Sequence, residues 1–66
     1  MYAKDIAKGI VALGGGRYRI IFRDCKNKEH EIRISAISPQ QLADMFERYC
    51  ETNNFPKDTV KEIIRI

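Results

Sequence analysis

The chain has no apolar run approaching the roughly 20 residues that cross a bilayer, and its 66 residues hold only two cysteines and one histidine. The first absence argues against membrane insertion. Lys4, Asp5 and Lys8 interrupt the stretch from Met1 to Leu13, so the separate charged and apolar regions of a secretory leader are missing and the chain reads as cytoplasmic. Cys25 and Cys50 have no CxxC neighbour and fall in a predicted turn and a predicted helix, which favours reduced thiols over a disulfide. One histidine and two distant cysteines make no metal-ligand set. There is no repeat, low-complexity segment or linker, so residues 1–66 read as a single domain. A domain this small buries only about 60% of the surface its unfolded chain exposes, which leaves little material for a deep pocket.

What the chain does have is alternation. Arg17 to Arg23 and His30 to Ala36 place Tyr18, Ile20, Phe22, Ile32, Ile34 and Ala36 on one side and Arg17, Arg19, Arg23 and Arg33 on the other. That is the period of a strand with one buried face. A three- or five-residue turn around Lys26-Asn27-Lys28 pairs Phe22 with Ile32, Ile20 with Ile34 and Tyr18 with Ala36, whereas a two-residue turn would set Phe22 against Arg33. A helix is predicted from about Pro39 to Asn53, with Ser38 as N-cap, Pro39 at the first helical position, Gln41 completing a capping box and Ile37 stapled to Leu42. Leu42, Met45, Phe46, Tyr49 and Cys50 form its apolar stripe.

The two ends read less simply. Gly14-Gly15-Gly16 as a three-residue loop would set Ile10 against Ile20 and Ala12 against Tyr18, which predicts a first strand from Lys8 to Leu13. Ala3, Ile6, Ala7, Ile10 and Val11 also fit a helical stripe, although Gly9 would cost such a helix about 1 kcal/mol. Val60 to Ile66 is rich in β-branched residues and is predicted as a final strand with Ile64 and Ile66 inward; a short helix opened by Thr59 and Glu62 is the alternative. The expected architecture is α+β: a small antiparallel sheet of three to four strands with one amphipathic helix on one face, in the order β-β-β-α-β.

Most candidate sites reduce to ordinary structure. The triple glycine lacks the GK[ST] ending and following helix of a phosphate loop, so a turn is the simpler reading. His30, between Glu29 and Glu31, reads as a surface residue, with no nucleophile to serve. Asp44, Glu47 and Glu51 make a solvated helix face partly neutralised by Arg48. No catalytic set, no small-molecule substrate and no cofactor is implied. The outer sheet face is the exception: Arg17, Arg19, Ile21, Arg23 and Arg33 gather there with Val11, Leu13 and Ser35, and Lys61, Ile63 and Arg65 are expected to enlarge it. Guanidinium groups give planar, bidentate donors for phosphate or carboxylate, while apolar residues among them suit recognition better than simple solubility. Pairing of Arg23 with Glu31 would make part of the face self-satisfied.

The order from Gly9 to Tyr49 resembles the three-strands-then-helix pattern of AP2-type DNA-binding domains and of the arm-binding domains of phage and transposon integrases. Gly9-Ile10, a glycine turn, Arg17-Tyr18-Arg19-Ile20-Ile21-Phe22-Arg23-Asp24, a polar turn, a third strand and Ser38 opening a helix carry it. The resemblance implies that the sheet enters the major groove and that Arg17, Arg19, Arg23 and Arg33 contact DNA. The leading expectation is thus a small non-enzymatic nucleic-acid-binding module of phage or mobile-element type, with Lys61 and Arg65 adding phosphate contacts. The alternative is a phage-type inhibitor or adaptor that uses the same face on an acidic protein surface, such as a host nuclease or defence complex. A homodimer seam of Val11, Leu13, Ile21 and Ile63 is a third option.

Overall fold

The structure, a computed structural model, describes residues 1–11 and 14–66. The elements are α1 (Ala3–Ile10), β1 (Gly16–Arg23), β2 (Glu29–Ala36), α2 (Pro39–Asn53) and β3 (Val60–Arg65). The strands form one antiparallel sheet in the order β2-β1-β3. This is the predicted α+β class, with a second helix in place of a first strand.

Helix α1 corrects the expected strand from Lys8 to Leu13, of which Ala12 and Leu13 lie outside the described residues. Ala3, Ala7 and Val11 recur at the i, i+4, i+8 spacing of one helical stripe, and all three are buried. Small side chains let this helix lie close against α2 and β3. Gly9 is tolerated because it sits in the last turn, exposed, where an added Cβ would meet nothing within 4 Å. Gly14 and Gly15 then turn the chain at φ +107° and +102°, values that glycine adopts without a Cβ penalty.

The β1–β2 hairpin keeps the predicted faces but shifts every pair by two residues. Tyr18 lies opposite Ile34, Ile20 opposite Ile32, Phe22 opposite His30, and Arg23 opposite Glu29. The cause is Asp24, which is drawn out of the ladder into the turn. Its Oδ1 accepts from the backbone N–H of Lys26 (2.8 Å) and Lys28 (2.9 Å), and Asn27 adopts the left-handed conformation at φ 64°. A shift of two preserves parity, so each side chain keeps its side of the sheet.

Helix α2 starts as predicted: Ser38 Oγ accepts from Gln41 N at 3.1 Å. The Gln41 side chain reaches one residue further back than expected and accepts from Ile37 N at 2.7 Å. Ile37 itself is largely exposed, so it does not staple onto the fully buried Leu42. Leu42, Ala43, Phe46 and Cys50 are buried and Tyr49 half-buried, while Met45 points outward. Asn54, left-handed at φ 59°, closes the helix.

Strand β3 forms as predicted, but with its sides exchanged. Ile20 pairs with Ile63 and Ile21 with Glu62, whereas Phe22 pairs with Val60, so Lys61 sits in a bulge. An extra residue resets the period-2 alternation. Val60 and Ile63 therefore enter the core, while Ile64 and Ile66, predicted inward, are exposed. Arg65 pairs with Tyr18 and lies on the core side of the sheet edge, so neither Ile63 nor Arg65 joins the outer face. The buried residues of both helices and all three strands form one cluster, which places α1 and α2 together on one face and, among the described residues, leaves the other uncovered.

Candidate binding face of the sheet

Parity and register lay out the uncovered face in rows across the strands. Ser35 and Arg17 share the first row with Ile66, whose N–H donates to Arg17 O at 2.9 Å. Arg33, Arg19 and Ile64 make the second, and Glu31, Ile21 and Glu62 the third. Glu29 and Arg23 form the last, next to the Lys61 bulge. Rows are two residues apart, about 6.6 Å. The first two rows hold Arg17, Arg19 and Arg33 without a carboxylate side chain, the last two mix Glu29, Glu31 and Glu62 with Arg23 and Lys61, and one isoleucine stands in each of the first three.

Several of these charges are satisfied within the face. Arg19 Nε lies 2.9 Å from Glu31 Oε1; the N–H is not aimed at the oxygen, so the contact is ionic without an aligned hydrogen bond. Lys61 Nζ reaches Glu29 Oε1 at 3.3 Å, and Arg23 Nη1 donates to Asn27 Oδ1 at 3.1 Å. Half-exposed pairs of this kind contribute about 0–1 kcal/mol each. The predicted Arg23–Glu31 pair does not form, because the two-residue shift hands Glu31 to Arg19. Among the described residues Arg17 and Arg33 have neither an ion-pair nor a side-chain hydrogen-bond partner. They line a shallow hollow with Ile34, Ser35 and Ile66.

Of the predicted face, Arg17, Arg19, Ile21, Arg23, Arg33, Ser35 and Lys61 are brought together. Val11 is in the core and Leu13 lies outside the described residues. With Val11 and Ile63 buried, the predicted dimer seam does not exist as composed. Among the described residues, the large apolar side chains on the face are Ile21, Ile64 and Ile66.

A second constellation was not foreseen. His30 shares the core side of β2 and is half-buried, stacked on Phe22 (centroids 5.5 Å apart, planes 21° apart) and 4.9 Å from the Phe55 ring. Its Nε2 lies 2.8 Å from Asp24 Oδ2. The hydrogen bond from His30, then the Lys28 backbone N–H, hold the Asp24 carboxyl down at about 2. Alternation counted back from Ala36 through Ile34 and Ile32 reaches His30, and that signal assigns it to the core side. The imidazole holds the same carboxylate that accepts from the Lys26 and Lys28 backbone N–H groups, so the arrangement fixes the turn. Among the described residues there is no cluster of three or more histidine, cysteine or acidic side chains able to hold a metal ion, and no helix is long and apolar enough to cross a membrane. Cys25 is exposed and Cys50 buried, both as free thiols.

Comparison with protein-family models, with curated proteins and with solved structures finds no match to this chain.

Proposed function

We propose that this chain is a non-enzymatic protein-binding module of the inhibitor or adaptor kind, which docks on its partner through the uncovered face of the sheet. The observation that carries this reading is the composition of that face. Ile21, Ile64 and Ile66 lie among charges of both signs, of which Arg19 and Glu31, and Lys61 and Glu29, are paired within the face, a mixture of apolar and oppositely charged groups that suits a protein surface.

The DNA reading draws on Arg17 and Arg33, the cations of this face that have no side-chain partner among the described residues. Glu29, Glu31 and Glu62 weigh against it, because they stand on the same face within about 20 Å of those arginines and would oppose any run of phosphates. Two arginines would neutralise about two phosphates, giving a slope of about −2 in log K against log salt.

One experiment separates the two readings. Affinity-tagged chain, its Ile64→Asp variant and an α2-face control, Glu47→Lys, are exposed to lysate of the native cell and, separately, to duplex DNA across a salt series. Recovery of one stoichiometric partner by the native chain and the control, lost with Ile64→Asp, supports protein binding. Duplex binding at low salt that weakens along that slope, with no protein retained, would replace it with the DNA reading.

A further inference from the structure

We infer that the hollow between Arg17 and Arg33 receives a carboxylate side chain of an acidic protein partner, with an apolar neighbour of that side chain resting on Ile66. This rests on the protein-binding reading and assigns it a chemistry. Arg17 stands beside Ser35 in the register and Arg33 precedes Ser35 by two residues along β2 on the same face, so the two arginines and one serine line the same hollow. The other cations of the face are engaged by Glu31, Glu29 and Asn27. Two like charges that line one hollow repel each other unless an anion comes between them, and a guanidinium fork matches a carboxylate in plane and spacing. Ile66, exposed in the lining, provides the contact that a side chain next to the carboxylate would use.

The size of the basic zone argues for a discrete anion over a polyanion. It spans two rows, about 7 Å along the strands, and then gives way to Glu31 and Glu62. A duplex, with one negative charge per about 1.7 Å of axis, would carry further phosphates over those carboxylates. Across the strands the sheet is only about 14 Å wide. An acidic side chain on a folded or extended partner ends where the positive zone ends.

The test uses the full chain labelled with ¹⁵N and a blocked hexapeptide alternating Leu with Asp and Glu, set beside the same peptide with Asn and Gln and beside a twelve-base-pair duplex. The acidic peptide is expected to move the amide signals of Arg17, Arg33, Ser35 and Ile66 saturably, and the neutral one to bind about tenfold more weakly. Arg17→Gln and Arg33→Gln each weaken the acidic peptide about three- to tenfold, while Arg23→Gln leaves it unchanged. Equal response to both peptides, signals moving elsewhere, tighter binding of the duplex, or the same shifts on raising the chain's own concentration without peptide would each overturn the inference. Its failure is distinguishable from that of the wider reading. A native partner lost on Ile64→Asp but indifferent to Arg17→Gln and Arg33→Gln leaves the docking face standing and removes only the carboxylate subsite.

Discussion

Exchanging isoleucine for threonine at two adjacent positions of β3 tests the bulge on which the outer face depends. Threonine keeps the β-branched shape that suits a strand, so the two variants differ mainly in where the new hydroxyl goes. Ile63 is 3% exposed and Ile64 38% exposed. At position 63 the change removes about two methylene equivalents from the core, worth about 1.6 kcal/mol, and strands a hydroxyl among apolar side chains at a further 1–3 kcal/mol or so. The expected loss is about 3 kcal/mol. At position 64 the hydroxyl reaches water and the remaining loss is about 1 kcal/mol. Unfolding entropy of about 2.1 cal/mol/K per residue makes 1 kcal/mol equivalent to about 7 °C for a chain of 66 residues. Ile63→Thr should therefore lower Tm by about 20 °C and Ile64→Thr by about 7 °C. Urea titrations followed by circular dichroism should show the same order, with m unchanged. The reverse order, with Ile64→Thr the more damaging, would refute the bulge at Lys61 and with it the placement of Ile64 and Ile66 on the outer face.

Other expectations follow from single contacts. Gly16→Ala puts a Cβ 3.0 Å from the Tyr18 hydroxyl and 3.2 Å from its ring carbons; Tyr18 is wholly buried and cannot retreat, so about 1–3 kcal/mol is lost in denaturant titration. Gly9→Ala meets nothing within 4 Å in a helix and should add about 0.5–1 kcal/mol; a loss there would count against α1. Ser38→Ala removes the acceptor for Gln41 N and should cost about 1 kcal/mol, read as a lowered Tm. The Asp24 carboxyl is lowered from 3.8 to about 2, so between those values the folded chain binds fewer protons than the unfolded one. Stability then rises with pH through that window, is complete above about pH 4 and is lost as pH falls toward 2. Asp24→Asn should flatten this acid limb in urea titrations from pH 2 to 5, and an unaltered limb contradicts the role given to the carboxylate.

The elements that were legible in the sequence are those whose cause is local. Tyr18, Ile20 and Phe22 alternate with arginines in strong contrast, and Ser38 with Pro39 and Gln41 marks a helix start within four positions. Helix α1 was legible only as the alternative to a strand, because its buried stripe is Ala3, Ala7 and Val11, small residues of weak hydrophobic contrast, and because Ile10 happens to satisfy a strand register with Ile20. Ile63, Ile64 and Ile66 are chemically alike, so nothing in their identity reveals which side a bulge will choose. The candidate face was readable in its arginines, since a shift of two leaves parity alone. Its internal ion pairs were not, since the same shift changes every cross-strand neighbour. His30 was misread because the two-residue shift sets it opposite Phe22 and within reach of Asp24, and because Phe55, which completes its surroundings, arrives from beyond α2.

The middle position of β1 has a kinetic consequence. Its pairing with β2 is closed by a short turn, but its pairing with β3 joins Tyr18 to Arg65 and Phe22 to Val60, across most of the chain. Closing so large a loop costs conformational entropy before any contact repays it. The hairpin is therefore expected to form early with one side of β1 bare, an unpaired row of amides and carbonyls beside Ile20 and Phe22 that invites another chain. Until Val60 to Arg65 settle into place, the chain's main hazard is self-recognition along that open edge, and refolding at rising protein concentration should lose yield before it loses rate.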